Sequence, residues 1–312
     1  MKLYLVIPCY NEEAVLPETR ARLTEKMKGL IAAGRVSADS RIVFVNDGSK
    51  DKTWELIASY HAEDPLVAGV CLSRNRGHQN ALLCGLMTVK DLCDAAISMD
   101  ADLQDDINVI DAMLDEYEKG TDVVYGARSS RQTDSTFKRF TAEGFYKLMQ
   151  AMGAEVVFNS ADCRLMSRRA LDGLSEFGEV NLFLRGMVPM VGYPSSTVYY
   201  ERHERFAGES KYPLKKMLNF AFEGITSLSV KPIRMISGAG FVFLIGSFAA
   251  FLVWLIRLCM GLGFSTVAFL SFLLLLVGGV LTVAVGLVGE YVGKVYLESK
   301  HRPRYIVKDV LL

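Results

Sequence analysis

Ile97-Ser98-Met99-Asp100-Ala101-Asp102-Leu103-Gln104-Asp105 is a short apolar run that delivers two carboxylates, one residue apart, to a polar turn. Read as the end of a buried strand, its two-residue side-chain period aims Asp100 and Asp102 to the same side. Two hard oxygen donors so placed suit Mg²⁺ or Mn²⁺, with phosphate oxygens filling out the octahedron. Such a cation offsets the negative charge that develops on a diphosphate leaving group. Acidic pairs are common at strand ends, so the weight of this reading rests on what surrounds the pair.

On either side, apolar runs at 2–7, 41–45, 66–72, 95–99 and 122–125 alternate with stretches of helical spacing at 13–33, 51–62, 77–90 and 107–119. That rhythm predicts βαβ units and an α/β domain with a mostly parallel sheet over residues 1–212. Ligands of such sheets sit past the carboxyl ends of the strands. Pro8-Cys9-Tyr10-Asn11-Glu12, Asn46-Asp47-Gly48-Ser49 and Asp100-Ala101-Asp102 all fall there. Pro8, Tyr10, Asn11, Glu12 and Asp47 together suit a nucleoside, with an aromatic or proline surface for the base, a carboxylate for its N–H and acceptors for ribose hydroxyls. The Asn46–Ser49 run reads equally well as a plain turn before a helix.

The composition then changes. Met235–Ile256 and Leu258–Gly289 carry no charged residue, and each is long enough to cross roughly 30 Å of hydrocarbon. The alternative for both is a buried core helix. Lys211, Lys215, Lys216, Lys231 and Arg234 precede the first stretch, and Lys294, Lys300, Arg302, Arg304 and Lys308 follow the second. By the positive-inside rule both ends are cytoplasmic. The sequence thus divides into a cytoplasmic domain (1–212), an amphipathic interfacial helix with its linker (213–234), a two-span hairpin (235–289) and a cytoplasmic tail (290–312). Pro213–Val230, with Leu218, Phe222 and Ile225 on one face, is the interfacial candidate; Phe137–Met152 is a second, with core packing as the alternative for both. Glycines in the spans permit close helix packing and a homo-oligomer.

The chain has 312 residues and zero formal net charge, from 35 Lys and Arg against 35 Asp and Glu. With no long basic block, there is no electrostatic case for nucleic acid. Six cysteines lie scattered without a CxxC pair, which reads as buried thiols rather than a zinc site or a disulfide framework. The apolar N-terminal run is too short for a signal peptide, so the first domain is expected to stay where it was made.

The segments 6–13, 45–49, 100–104 and Gly126-Ala127-Arg128, in this order, resemble the family 2 inverting glycosyltransferases. Asp162-Cys163-Arg164-Leu165-Met166, Arg205-Phe206-Ala207-Gly208-Glu209-Ser210-Lys211-Tyr212 and the paired apolar stretches resemble the polyprenyl-phosphate branch, that of dolichol-phosphate mannose synthase and the bactoprenol glucosyltransferases. The resemblance implies a GT-A-type fold, with transfer of a sugar, glucose by preference, from a UDP-sugar to undecaprenyl phosphate at the bacterial inner membrane. It also implies a homo-oligomer, a tetramer in the family. Aminoarabinose, N-acetylhexosamine and mannose donors stay open, as does a catalytically silent scaffold that recruits a flippase.

Carried over by residue, the resemblance puts the nucleotide sugar on Pro8, Tyr10, Asn11, Glu12, Asp47 and Asp100, with Arg205, Ser210, Lys211 and Tyr212 facing phosphates. It puts the metal on Asp102 and Gln104 with Asp100 nearby, and catalysis on Asp162, Asp100 and Arg128. Arg128, Arg131, Lys138 and Arg139 are the candidates to hold the lipid phosphate, solvated or headgroup charge being the alternative for the last three. Asp162 matches the residue read as the base. A phosphate monoester has a second pKa of about 6, so its oxygen needs little help losing a proton, and Asp162 can instead orient Arg164 or the acceptor. The chain departs from its relatives at Cys163 and at Asn75-Arg76-Gly77-His78; His78 reads as a surface or helix-start histidine.

Overall fold

The computed structural model describes residues 1–129, 160–201 and 266–312. Leu3–Cys9 forms β1, and each of its residues is buried. Alternate side chains leave the strand on opposite faces, and both faces are covered. Leu3, Leu5 and Ile7 pack in one cluster with Leu23 and Met27 of α1 (Leu16–Ala32) and Ile110 and Met113 of α4 (Val109–Glu118). Tyr4 and Val6 pack in the other with Leu82 and Leu86 of α3 (His78–Val89) and Leu171 and Leu174 of α5 (Arg168–Ser175). The result is a three-layer α/β/α domain.

β1 pairs in parallel with β2 (Arg41–Asn46) on one side and β4 (Ala95–Ser98) on the other. β3 (Val67–Leu72) extends the sheet beyond β2, with α2 (Thr53–Glu63) on the connection. The chain thus builds toward one edge through β1, β2 and β3, then reverses to place β4 on the far side of β1. The crevice for a ligand opens at such a reversal.

Beyond β4 come strands that the hydrophobic rhythm did not reveal. β6 (Ser160–Ser167) runs antiparallel to both β4 and β5 (Val123–Arg128), and β7 (Ser195–Tyr200) pairs in parallel with β5. The sheet over the described residues has the order β7-β5-β6-β4-β1-β2-β3-β8. It is mixed, with four parallel pairs among the seven given by its register. The four helices and five strands expected before residue 129 lie where their spacing predicts, within a few residues at each end.

The C-terminal residues correct the sequence reading. They were expected to form a tail, but Val307–Leu311 is β8, antiparallel to β3 with Val70 opposite Val310. A five-residue strand of mostly exposed side chains leaves almost no periodic signal. α7 (Thr266–Ser299) runs past Gly289 without a break. Among the described residues no helix is long and apolar enough to cross a membrane. The first expected span, Met235–Ile256, lies outside the described residues, as do several side chains of α7, Pro213–Val230 and Phe137–Met152. Five of the cysteines are buried and free as expected, and Cys259 lies outside the described residues.

The join between β5 and β6 depends on one buried carboxylate. Asp122 accepts from Ser167 Oγ at 2.8 Å and from Arg169 Nε at 3.2 Å, and pairs with Arg169 Nη2. Burial would raise its pKa, but Arg169 and Ser167 outweigh that and hold it below the ordinary carboxylate value. A depressed carboxylate contributes stability that is fully present above the unfolded pKa of about 3.9 and is lost as pH falls through the folded value. Asp122→Asn is therefore expected to cost about 1–3 kcal/mol at neutral pH in denaturant unfolding. The difference from the natural protein should shrink as the pH is taken below 4.

Candidate active site

Past the end of β1 the chain turns through Tyr10, one of the exposed large apolar residues, and Asn11 at φ +54°. Asparagine accepts the left-handed region more readily than most residues. Its backbone N–H donates to Ser49 Oγ at 3.0 Å, its Oδ1 accepts from Lys50 N at 2.9 Å, and Glu12 N donates to Thr53 Oγ1 at 3.0 Å. The β1 loop is therefore laced to the β2 loop, and Pro8 sits in register with Val45 at the mouth of the crevice.

Asp47 is buried, and its two oxygens accept from the backbone N–H groups of Arg76 at 2.7 Å and Gly77 at 2.9 Å. Burial raises its pKa against the pull of those donors. The Asn46–Ser49 run is a turn, as its composition allows, since Asn46 Oδ1 accepts from Ser49 N at 3.1 Å. Gly48 is required there. Its φ is +62°, and a Cβ would stand 2.5 Å from the Arg74 carbonyl carbon and the Asn75 nitrogen. The turn and Asp47 together fix the loop that leads into α3.

At β4 the strand ends at Ser98, so Asp100 and Asp102 lie on the turn beyond it, where Leu103 has φ +56°. This corrects the expectation that strand pleating aligns the two carboxylates. Asp102 Oδ1 accepts from Gln104 N at 3.2 Å. Next in the chain, buried Asp105 accepts from Tyr200 Oη at 2.6 Å, which ties the turn to β7.

β6 brings Asp162 to this turn. Its register sets Arg164 opposite Ser98, and Ser98 Oγ donates to the Asp162 carbonyl at 2.5 Å. The Asp162 carboxylate is enclosed by cations. Oδ1 accepts from Arg164 Nη2 at 2.8 Å and Arg185 Nε at 3.1 Å, while Oδ2 lies 3.0 Å from Arg185 Nη2 and 3.3 Å from His78 Nε2. His78 Nε2 is also 3.6 Å from Asp100 Oδ1.

The charges bias one another. Burial alone would lift Asp162, but Arg185, His78 and Arg164 hold it well below the usual carboxylate range. Burial likewise opposes a charged His78, yet Asp162 and Asp100 raise it to about 9. Burial lifts Asp100 to about 6 against the pull of His78, with help from Asp162, Asp105 and Asp102. At neutral pH the cluster therefore holds an imidazolium and an ionised Asp162.

Arg185 is the cluster residue that sequence reasoning missed, whereas His78 was read as a surface or helix-start histidine. His78 does begin α3, but its ring faces two carboxylates. Arg185 stands in α6 (Leu184–Met190), a seven-residue helix containing Pro189 whose shortness hides its period. Leu184 O accepts from the buried Arg164 Nη1 at 3.2 Å, and Leu184 N donates to Gln79 Oε1 at 2.8 Å. The amino end of the helix is thereby fixed.

Residues 4–174 match Glycosyl transferase family 2. The chain belongs to that family. It is 48% identical over 305 residues to "Uncharacterized glycosyltransferase YkoT" of Bacillus subtilis, covering 98% of this chain and 90% of that one. It is 39% identical to the "Bactoprenol glucosyl transferase" of Shigella phage SfV, covering 99% of each. Among solved structures, mannosyl-3-phosphoglycerate synthase from Rubrobacter xylanophilus overlaps with a TM-score of 0.47 at 16% identity, over 75% of this chain and 74% of that one. The α/β domain with its mixed, mostly parallel sheet is GT-A-like, and the family makes the chain a glycosyltransferase.

For this family 2 member, the donor set at the β4 turn fits a hard divalent cation. Asp100 and Asp102 supply carboxylate oxygen, and the mutual repulsion that helps to raise Asp100 is what a cation would relieve. Among the described residues no group of three or more His, Cys, Asp or Glu is gathered to hold a metal alone. Arg128 ends β5 beside the register partner Tyr200, and its side chain lies outside the described residues. Arg131, Lys138, Arg139, Arg205, Ser210, Lys211 and Tyr212 lie outside them as well.

An Asp162 carboxylate this depressed is a weak base at neutral pH. Asp162→Asn is expected to lower sugar transfer by about 10²–10³-fold through loss of the Arg185 and His78 geometry. The midpoint of the acidic limb of the pH–rate profile should stay put, and a limb that disappears would mark Asp162 as the base.

Proposed function

We propose that the chain transfers a sugar, glucose by preference, from a UDP-sugar to undecaprenyl phosphate with inversion at the anomeric carbon, on the cytoplasmic face of the membrane. The observation that carries this reading is the Asp162 cluster. The carboxylate positioned where a base would stand is fully engaged by Arg164, Arg185 and His78, so the acceptor has to arrive already ionised. A phosphate monoester with a second pKa of about 6 meets that condition, whereas a sugar hydroxyl does not. The full-length likeness to the phage protein named bactoprenol glucosyl transferase supports the same acceptor.

The steps follow from charge. The nucleoside lies in the crevice over Pro8 and Tyr10 with the diphosphate toward the β4 turn. Asp102, Asp100 and Gln104 would hold Mg²⁺ or Mn²⁺, which when bound neutralises the departing diphosphate. Arg185 and His78 present positive charge beside that turn, and an anionic acceptor needs such charge to approach an anionic donor. A phosphate oxygen then bonds to the anomeric carbon from the side opposite UDP, the carbon–oxygen bond to UDP breaks, and its electrons leave on the diphosphate. Arg128, Arg131, Lys138, Arg139 and the 205–212 segment are proposed to complete the phosphate sites.

Membrane anchoring belongs to the same proposal. Leu270, Leu274, Val277, Leu281, Val285, Val288, Val292 and Val295 stand exposed at steps of three or four along α7. An apolar stripe of that length calls for lipid or a second helix. A hairpin of Met235–Ile256 and Leu258–Gly289, the first wholly and the second partly outside the described residues, with both termini cytoplasmic and self-association into a tetramer, would account for it.

Purified protein incubated with labelled nucleotide sugars, undecaprenyl phosphate and Mg²⁺ or Mn²⁺ tests the reading. A lipid-extractable glucosyl phosphate of inverted anomeric configuration is expected from UDP-glucose. Asp102→Asn should reduce it by at least about 10²-fold with unchanged circular dichroism. Absence of lipid-linked sugar from every donor would overturn the assignment.

A further inference from the structure

A cleft of about 700 Å³ lies between the carboxyl-terminal half of α7 and the loop before α6. We propose that it binds the isoprene units nearest the phosphate of the acceptor lipid, an inference that rests on the acceptor class argued above. Its size is that of a small-molecule site, and its lining is amphipathic, with Leu182, Phe183 and Leu297 against Gln79, Asn181 and Lys294.

Three observations place an acceptor's neck there. The first is depth. The uncharged run of α7 ends at Gly289, and Glu290 and Lys294 follow on the lining of the cleft. The cleft therefore straddles the change from apolar to charged helix, where a phospholipid's chain meets its headgroup. The second is room. Gly289 and Gly293, one turn apart, leave the helix surface bare, and a Cβ at either meets no heavy atom within 4 Å.

The third observation is connection to the catalytic cluster. The Glu298 carboxylate accepts from Val180 N at 2.8 Å, Asn181 N at 2.8 Å and Asn181 Nδ2 at 3.1 Å. It fixes the wall opposite the glycines. That same wall runs on to Leu184, bonded to Gln79, and to Arg185, bonded to Asp162. Gln79 in turn follows His78 in α3. A chain lying in the cleft thus leads along the loop toward the cationic cluster that would receive its phosphate. Glu298 acts as a positioning residue, since it holds the wall and touches no reacting atom.

The test uses the full-length protein in phosphatidylglycerol vesicles and a long-chain polyprenyl phosphate carrying a diazirine on its second isoprene unit. Irradiation is expected to label peptides within 180–183 or 289–297. Unlabelled undecaprenyl phosphate should compete, and UDP or inorganic phosphate should not. Gly293→Leu projects a side chain into open space and should cut labelling by about ten-fold or more, the equivalent of roughly two lost methylene contacts. UDP binding should be unchanged. Gly293→Ala, which only adds helix propensity, should retain most of the labelling and so controls for folding. Labelling confined to other peptides, undiminished labelling in Gly293→Leu, or an equal loss of UDP binding would overturn the proposal. The two readings fail separately: a protein labelled in the cleft that makes no glycosyl lipid loses the transfer reaction only, and one that makes it while labelled elsewhere loses the cleft only.

Discussion

Parallel pairing on both sides of β1 is the constraint from which the site follows. A strand buried on both faces and flanked by β2 and β4 brings three carboxyl ends to one edge, with Asn46 opposite Cys9 and Ser98 opposite Val6. Polar residues can leave the core only there, and the chain reverses direction across the sheet at the same place. The loops after β1, β2 and β4 are then fixed by hydrogen bonds among themselves, chiefly Asn11 with Ser49 and Lys50, and Asp47 with the residues before α3. Helix α3 in its turn can approach the sheet because of Gly85. A Cβ at that position would stand 2.4 Å from Val6 Cγ1 and 2.6 Å from Val45 Cγ2. The amino end of α3 carries His78, so backbone packing and catalytic geometry are set by one arrangement.

The cluster on Asp162 is costly in isolation. Taking charges out of water is offset only when each is paired and hydrogen-bonded, and removing one partner leaves the rest uncompensated. Here one carboxylate serves two guanidinium groups and an imidazolium, leaving local positive charge that Asp100 only partly balances. A site of that kind attracts anions. It also explains why a residue positioned like a base is held so firmly in its ionised form: the carboxylate organises the cations around it.

The described carboxyl-terminal residues, 266–312, are tied back to this domain at two levels. Glu298 grips the loop before α6, and β8 adds to the edge of β3 after Ser73 N donates to Ile306 O at 2.9 Å. The carboxyl end of α7 is thereby held to the sheet domain.

Residue by residue, the sequence alone determined the α/β class, the first five strands and the loops that bear Tyr10, Asp47 and Asp100, because buried strands and amphipathic helices write their periods into apolar residues. It also marked Asp162 and Arg164, through motif rather than period. It could not reveal β6, β7 or β8. β6 interleaves Ser160, Asp162, Arg164 and Ser167 with apolar residues, so it shows no strand period, and only its bonds to Asp162 and Leu184 show where the buried Arg164 lies. Nor could it place Arg185 or the ring of His78, which lie 23 and 84 residues from Asp162 in the chain. Ionic partners so far apart have no spacing rule, and only the packing of α3 and α6 against the sheet decides that they share one carboxylate.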